Sequence, residues 1–302
     1  MRLSTTDFVS PAVVWAALMG LALLVSSSLP AKAEMLQPYK DALFAYQTVL
    51  ETADDGDYRV VEYQELRDIN GRDQVPERRV KRAYVSLGVK KSQVNETISV
   101  AGRAIDVMRV GRETGGAFSV VFVHGRGGDR RLGANDYSFG GNFNRLKNLA
   151  VENGGVYYAP SVGSFDEAGV ADVAALIAHA KASSGGKPVV LACASMGSFI
   201  CWGIARVPDA VAALDGMMIM GGPADETFLK SAAYKAKLPV FFSHGSADSV
   251  YPAAAQVSFY RKLKKTGYPV RLVLFETGSH GTPVRMTDWR DALNWIAARQ
   301  HS

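Results

Sequence analysis

Pro188-Val-Val-Leu-Ala-Cys-Ala-Ser-Met-Gly-Ser-Phe-Ile-Cys-Trp202 is the stretch whose reading decides the fold. Val189 to Ala192 form an apolar run, as a strand buried on both faces requires. Small residues interrupt it around Ser195, and the apolar texture then resumes as a helix. Strand, sharp turn and helix in that order lift a serine onto the end of a sheet. The turn is tight enough that a large side chain at 193 would collide with the helix behind it, and Cys193 is small. The serine itself is expected to take a positive φ. A small-x-Ser-x-small pentapeptide arises easily by chance, so Cys193-Ala-Ser-Met-Gly197 draws its weight from the strand before it and the helix after it.

Around this stretch the chain alternates. From Gly115-Gly116 onward, strands are expected at Phe118 to Val123, Val156 to Ala159, Gly216 to Met220, Pro239 to Ser243 and Val270 to Phe275. Helices are expected at Asp166 to Ala182, after Ser195 to about Arg206, at Pro252 to Lys265 and at Asp288 to Arg299, with a short one between Pro223 and Lys237. Repeated strand–helix units imply an α/β fold with a mostly parallel, helix-covered sheet and right-handed crossovers. Before Gly115 the pattern differs. Leu36 to Leu50 has the spacing of an amphipathic helix, ended by Asp54-Asp-Gly-Asp57. Arg59 to Gln64 reads as a short strand and the charged Arg67 to Arg82 as an exposed loop. Val80 to Val89, Val94 to Val100 and Arg103 to Val110 alternate like antiparallel strands, expected at one edge of the sheet. The expected organisation is therefore 1–33, 34–115 as an N-terminal helix and strands integral to the sheet, and 116–302 as the α/β core.

The chain has 302 residues, 48% of them apolar, and a formal charge of +5. That mild excess, without basic runs, speaks against a nucleic-acid partner. Arg2, the apolar run Ala12 to Val25 and Ala31-Lys-Ala33 have the order of a secretory signal peptide, with cleavage after Ala33. The run of about 14 residues is short beside the roughly 20 that span a bilayer. A periplasmic or secreted mature chain from Glu34, without a stable membrane span, is expected; an uncleaved N-terminal anchor is the alternative. Export permits a disulfide. Even so, Cys193 and Cys201 are expected to be unpaired small hydrophobes, because a strand end and a helix interior should carry their side chains apart.

Four stretches then fall into a pattern. His124-Gly-Arg-Gly-Gly128 follows the first buried strand, and Cys193-Ala-Ser-Met-Gly197 follows a later one. His244-Gly-Ser-Ala-Asp248, with Pro252 after it, and Gly278-Ser-His-Gly281 follow two more. Together, over about residues 115–302, they resemble the α/β-hydrolase superfamily, whose nucleophile turn reads Gly-x-Ser-x-Gly. Cys193 departs from that pattern at the first glycine. The resemblance is nearest to small uncapped esterases of the carboxylesterase and dienelactone-hydrolase kind, although a true dienelactone hydrolase uses cysteine as nucleophile. Family cap domains sit in the connection between Met220 and Pro239; its shortness here implies no large cap and an open site.

By that resemblance Ser195 is the nucleophile, His280 the base and Asp248 the acid, in the family's chain order. Asp225, after the preceding strand, competes with Asp248. The N–H groups of Arg126 and Met196 would form the oxyanion hole. Of the five histidines, His124 and His244 are expected to brace their loops, His179 sits mid-helix and His301 lies in the tail. Asp129-Arg-Arg131 could favour an anionic substrate group or could be a solvated loop. No P-loop, Cys-x-x-Cys pair or His-x-x-x-His spacing occurs, so no cofactor and no metal is implied. The expected activity is hydrolysis of a small-molecule carboxylic ester. A thioesterase or peptidase with the same three residues, or a catalytically silent binding protein of this fold, remains open.

Overall fold

The computed structural model describes residues 36–74 and 77–299, so the expected signal segment 1–33 and His301 lie outside the described residues. The strands in chain order are β1 (Val49–Ala53), β2 (Tyr58–Val61), β3 (Asp73–Gln74), β4 (Arg79–Val80), β5 (Gln93–Val100) and β6 (Arg103–Val110). They continue as β7 (Ser119–Val123), β8 (Val156–Pro160), β9 (Val189–Ala194), β10 (Gly216–Met220), β11 (Val240–Gly245) and β12 (Val270–Phe275). Ten of them form one sheet in the order β1-β2-β12-β11-β10-β9-β7-β8-β6-β5, and β3 pairs only with β4. From β2 across to β8 every neighbouring pair is parallel. The outer pairs β1–β2, β6–β8 and β5–β6 are antiparallel.

Both faces of the central strands are buried, which is why those strands read as continuous apolar runs rather than alternating ones. Val121, Val123, Leu191, Cys193, Met217 and Ile219 face one core, with the helices Glu167–Ser183, Ser198–Ile204 and Ala253–Lys265 over them. Val120, Phe122, Val190, Ala192, Met218 and Phe241 face the other, under the helices Asn142–Glu152 and Trp289–Arg299. Because β7, β9, β11 and β12 are parallel, the loops after them emerge at the same edge. Open α/β sheets hold their sites at that edge. The connection from β10 to β11 holds only a 3₁₀ turn, Glu226–Lys230, and a one-turn helix, Ala232–Lys235.

The N-terminal region departs from the sequence reading in four ways. Of the expected helix Leu36 to Leu50 only Asp41–Phe44 is helical, and Val49–Ala53 is a strand. Asp54, Asp55 and Gly56, with φ of 53°, 57° and 84°, do not end a helix but turn β1 into β2. Consecutive positive φ values are what Asp-Gly stretches supply in hairpins. Second, Arg67 to Arg82 is not an exposed loop: Asp68, Arg72 and Asp73 are buried, with Asp68 held by Arg67 and Asp73 by Arg285. Distant partners such as Arg285 make charge density a poor guide to exposure here. Third, Val80 to Val89 is not a strand beyond Val80 but two 3₁₀ turns, Arg82–Tyr84 and Gly88–Ser92, joined by irregular chain. Fourth, β5 and β6 lie antiparallel at one edge as expected, but the strand at Arg59 does not join them: β2, with β1 beyond it, closes the other side of the sheet.

The largest correction concerns Cys193 and Cys201, which are joined in a disulfide with their Cα atoms 6.2 Å apart. Bridged cysteines have Cα separations of roughly 4.4–6.8 Å. The turn at Ser195 reverses the chain, so the helix Ser198–Ile204 folds back over the face of β9 that carries Cys193. The two side chains meet in the same core instead of diverging.

Candidate active site

Ser195 heads a 3₁₀ turn, Ser195–Gly197, between β9 and the following helix, and its φ is 52°. A non-glycine residue held there is strained, and such strain persists only where the surroundings fix it. The packing is close enough to do so. A Cβ on Gly197 would lie 2.5 Å from the carbonyl oxygen of His124, and one on Gly125 would lie 2.9 Å from the Ser195 Cβ. Glycine at 125 and 197 is therefore what lets the loop after β7 lie directly against the serine.

His280, on the loop after β12, reaches Ser195 Oγ through Nε2 at 2.8 Å and Asp248 Oδ2 through Nδ1 at 2.8 Å. A carboxylate only accepts hydrogen bonds, so Nδ1 carries the proton toward Asp248. Nε2 then presents a lone pair to the serine hydroxyl. The Asp248 side chain is 0% exposed and that of His280 is 28% exposed, so the chain of bonds runs from the interior to the solvent. Asp248 Oδ1 accepts from the backbone N–H groups of Val250 and Tyr251 at 2.8 and 3.0 Å. The Tyr251 ring packs edge-on against His280, 5.6 Å between centroids.

His244 is buried beneath the acid loop. Its Nε2 donates to the Tyr251 carbonyl at 2.7 Å and lies 3.4 Å from Asp248 Oδ2. Burial lowers its pKa, which favours the neutral ring. His124 braces the other loop: its Nε2 accepts from the Val162 N–H at 3.0 Å, and so its Nδ1 donates to the Gly125 carbonyl at 2.8 Å. The two histidines expected to brace their loops therefore sit in them with backbone partners. His179, mid-helix, meets Ser183 and the Tyr158 ring, and burial lowers its pKa.

Asp225 does not approach His280. It caps the 3₁₀ turn after it by accepting from Thr227 N–H at 2.9 Å and forms an ion pair with Arg206. The basic pair beside the oxyanion loop is also committed. Arg131 pairs with Asp129, whose side chain caps the helix Arg130–Ala134, and Arg130 pairs with Asp106 at 2.8 Å. Arg126 is exposed and Met196 half-buried, each on the backbone turn expected to hold its N–H. Among the described residues no group of three or more His, Cys, Asp or Glu gathers as metal ligands would. Sequence reasoning missed Tyr251 and the disulfide. Neither has a spacing signature, since both depend on where a loop or helix folds back.

The model of the alpha/beta hydrolase family matches residues 120–300. This chain belongs to that family. Among solved structures the hydrolase is similar to a thermostable esterase, at 18% identity and a TM-score of 0.55 over 69% of this chain and 63% of the other. The match thus spans less than two thirds of that esterase. It is also similar to the thermophilic esterase Est2 from the Planctomycetes species Thermogutta terrifontis, at 16% identity and a TM-score of 0.47 over 68% and 90% of the two chains. At these identities the likeness is one of fold. No curated protein matches the hydrolase.

Proposed function

We propose that this alpha/beta hydrolase is an exported serine hydrolase that cleaves carboxylic esters. The observation that carries the proposal is the unbroken chain Ser195 Oγ, His280, Asp248, with both links at 2.8 Å. His280 Nε2 takes the Ser195 proton as Oγ attacks the ester carbonyl. The tetrahedral oxyanion forms between the N–H of Met196, in the turn after Ser195, and that of Arg126, on the loop held against Ser195 by Gly125 and braced by His124. His280 then gives its proton to the departing alcohol. Water, deprotonated by the same nitrogen, releases the acid from the acyl-enzyme. Asp248 holds the ring in the tautomer both steps need and stabilises the imidazolium. Export is supported by the buried Cys193–Cys201 bridge, since structural disulfides persist mainly in oxidising compartments.

Hydrolysis of p-nitrophenyl esters of graded acyl length tests the reaction. Turnover that disappears in Ser195→Ala is expected; folded protein that hydrolyses none of them contradicts the proposal. A thioester and a peptide anilide in the same panel report whether another acyl bond is preferred. N-terminal sequencing of exported protein is expected to begin at Glu34. Recovery of the intact chain from membranes would make it an anchored enzyme.

A further inference from the structure

Three arginines follow β7, Arg126 in the loop and Arg130 and Arg131 at the start of the next helix, and they differ in what surrounds them. Arg130 is bound by Asp106, Asn95 and Ser161. Arg131 is bound by Asp129, which also caps its helix. Arg126 is exposed and has no hydrogen bond or ion pair among the described residues. It is also next in the chain to Gly125, where an added Cβ would lie 3.4 Å from Ser195 Oγ. The nearby acids are engaged elsewhere: Asp129 with Arg131, and Asp248, buried, with His280.

From this we infer that Arg126 selects esters that carry an anionic group, a carboxylate or phosphate within one arginine side chain's reach of the scissile carbonyl. The inference rests on the esterase reading and names its substrate class. An uncompensated guanidinium at the mouth of an open site attracts an anion over a distance set by the screening length. It can also bind a carboxylate or phosphate bidentately on arrival. Arg130 and Arg131, which the sequence alone offered for this role, are neutralised by their own carboxylates. The cation available to a substrate is therefore Arg126, whose backbone serves the oxyanion while its side chain reads charge. Because the site is open to solvent, the preference is modest and salt-dependent, as exposed ion pairs are.

The test compares isosteric ester pairs. On the acyl side these are p-nitrophenyl hemiglutarate and p-nitrophenyl 5-methylhexanoate. On the alcohol side they are the acetates of 4-hydroxyphenylacetate and of 4-isobutylphenol. All four are corrected for spontaneous hydrolysis. In wild-type protein the anionic member of at least one pair is expected to have the higher kcat/KM, by about 1.5- to fivefold, as one exposed charge pair supplies. The ratio should shrink toward one as ionic strength rises from 0.05 to 0.5 M, both being ~ values chosen around the screening range. Arg126→Gln should remove the preference and Arg126→Glu should invert it. Whichever pair responds tells whether the anion sits on the acyl or the alcohol side. Ratios that are the same in wild type and Arg126→Glu would overturn the inference while leaving the esterase intact. Failure of folded protein to hydrolyse any of the four would overturn the esterase reading and this inference with it.

Discussion

Asp225 and Asp248 follow neighbouring parallel strands, β10 and β11, at the same edge of the sheet. Their local chemistry is nearly the same. Asp225 accepts from the N–H of Thr227 at 2.9 Å and Asp248 from that of Val250 at 2.8 Å, each closing a turn two residues ahead. They part company at the second oxygen. For Asp225 it meets Arg206, a permanent cation whose side chain is 47% exposed. For Asp248 it meets His280, a ring that can gain and lose a proton and whose far nitrogen touches a serine. Turn chemistry makes both carboxylates structural. What sets Asp248 apart is the histidine that the loop after a third strand, β12, delivers to it.

If that is the difference between the two loops, exchanging their carboxylates for amides should separate them widely. Asp248→Asn is expected to fold and to lower kcat by about 10⁴, because an amide no longer enforces the tautomer with Nδ1–H. Steady-state kinetics on protein of unchanged circular dichroism checks it. Near-normal turnover, with the loss appearing in Asp225→Asn, would reverse the comparison. Next in size is the disulfide that ties β9 to the helix after Ser195. Cys201→Ala should cost about 2 kcal/mol of stability for so short a loop. Denaturant unfolding with and without reductant should bring wild type down to the variant's level, and a midpoint indifferent to reductant would argue against the bridge.

His244 sharpens the contrast, because its buried ring lies 3.4 Å from Asp248 Oδ2 and holds the Tyr251 carbonyl on the same loop. His244→Phe removes the donor to the Tyr251 carbonyl, on the loop that holds Asp248, and should lower kcat about tenfold, the worth of roughly one hydrogen bond. His244→Gln, which keeps a donor near Nε2, should recover much of that loss. Equal kcat in the two variants would mean that the ring only fills space. Smallest of all, Asp225→Asn should change kcat less than about twofold. It should cost under about 1 kcal/mol, since asparagine also caps and the Arg206 pair is partly exposed. A larger drop in activity would show that the β10 loop takes part in the site.

The parts of this molecule that could be read from sequence are those whose periodicity or composition has a local cause. Val189 to Ala194 had to be apolar on both faces. The glycines at 125 and 197 had to be small because a Cβ would strike Ser195 or the His124 carbonyl. Ser195, Asp248 and His280 each stand just past such a strand, and the positive φ of Ser195 follows from the sharpness of its turn. The illegible parts depend on long-range partners. Asp73 reads as a surface charge until Arg285 is placed beside it. Leu36 to Leu50 reads as a helix until Val49–Ala53 pairs with β2. The hold on the first residues of that stretch is also remote, from Asn294 and Arg290 on the last helix. Cys201 reads as a helix-interior hydrophobe until the chain reversal at Ser195 brings it over Cys193.

The central claim is that Ser195 is a nucleophile made reactive by His280 and Asp248. It is tested most directly by treating folded protein with a fluorophosphonate and locating the adduct by mass spectrometry. The account predicts one phosphonyl group, on the peptide containing Ser195. Labelling should be absent in Ser195→Ala, slowed by orders of magnitude in Asp248→Asn and unchanged in Asp225→Asn. Folded wild-type protein that takes up no label, or takes it up on another residue, would contradict the account.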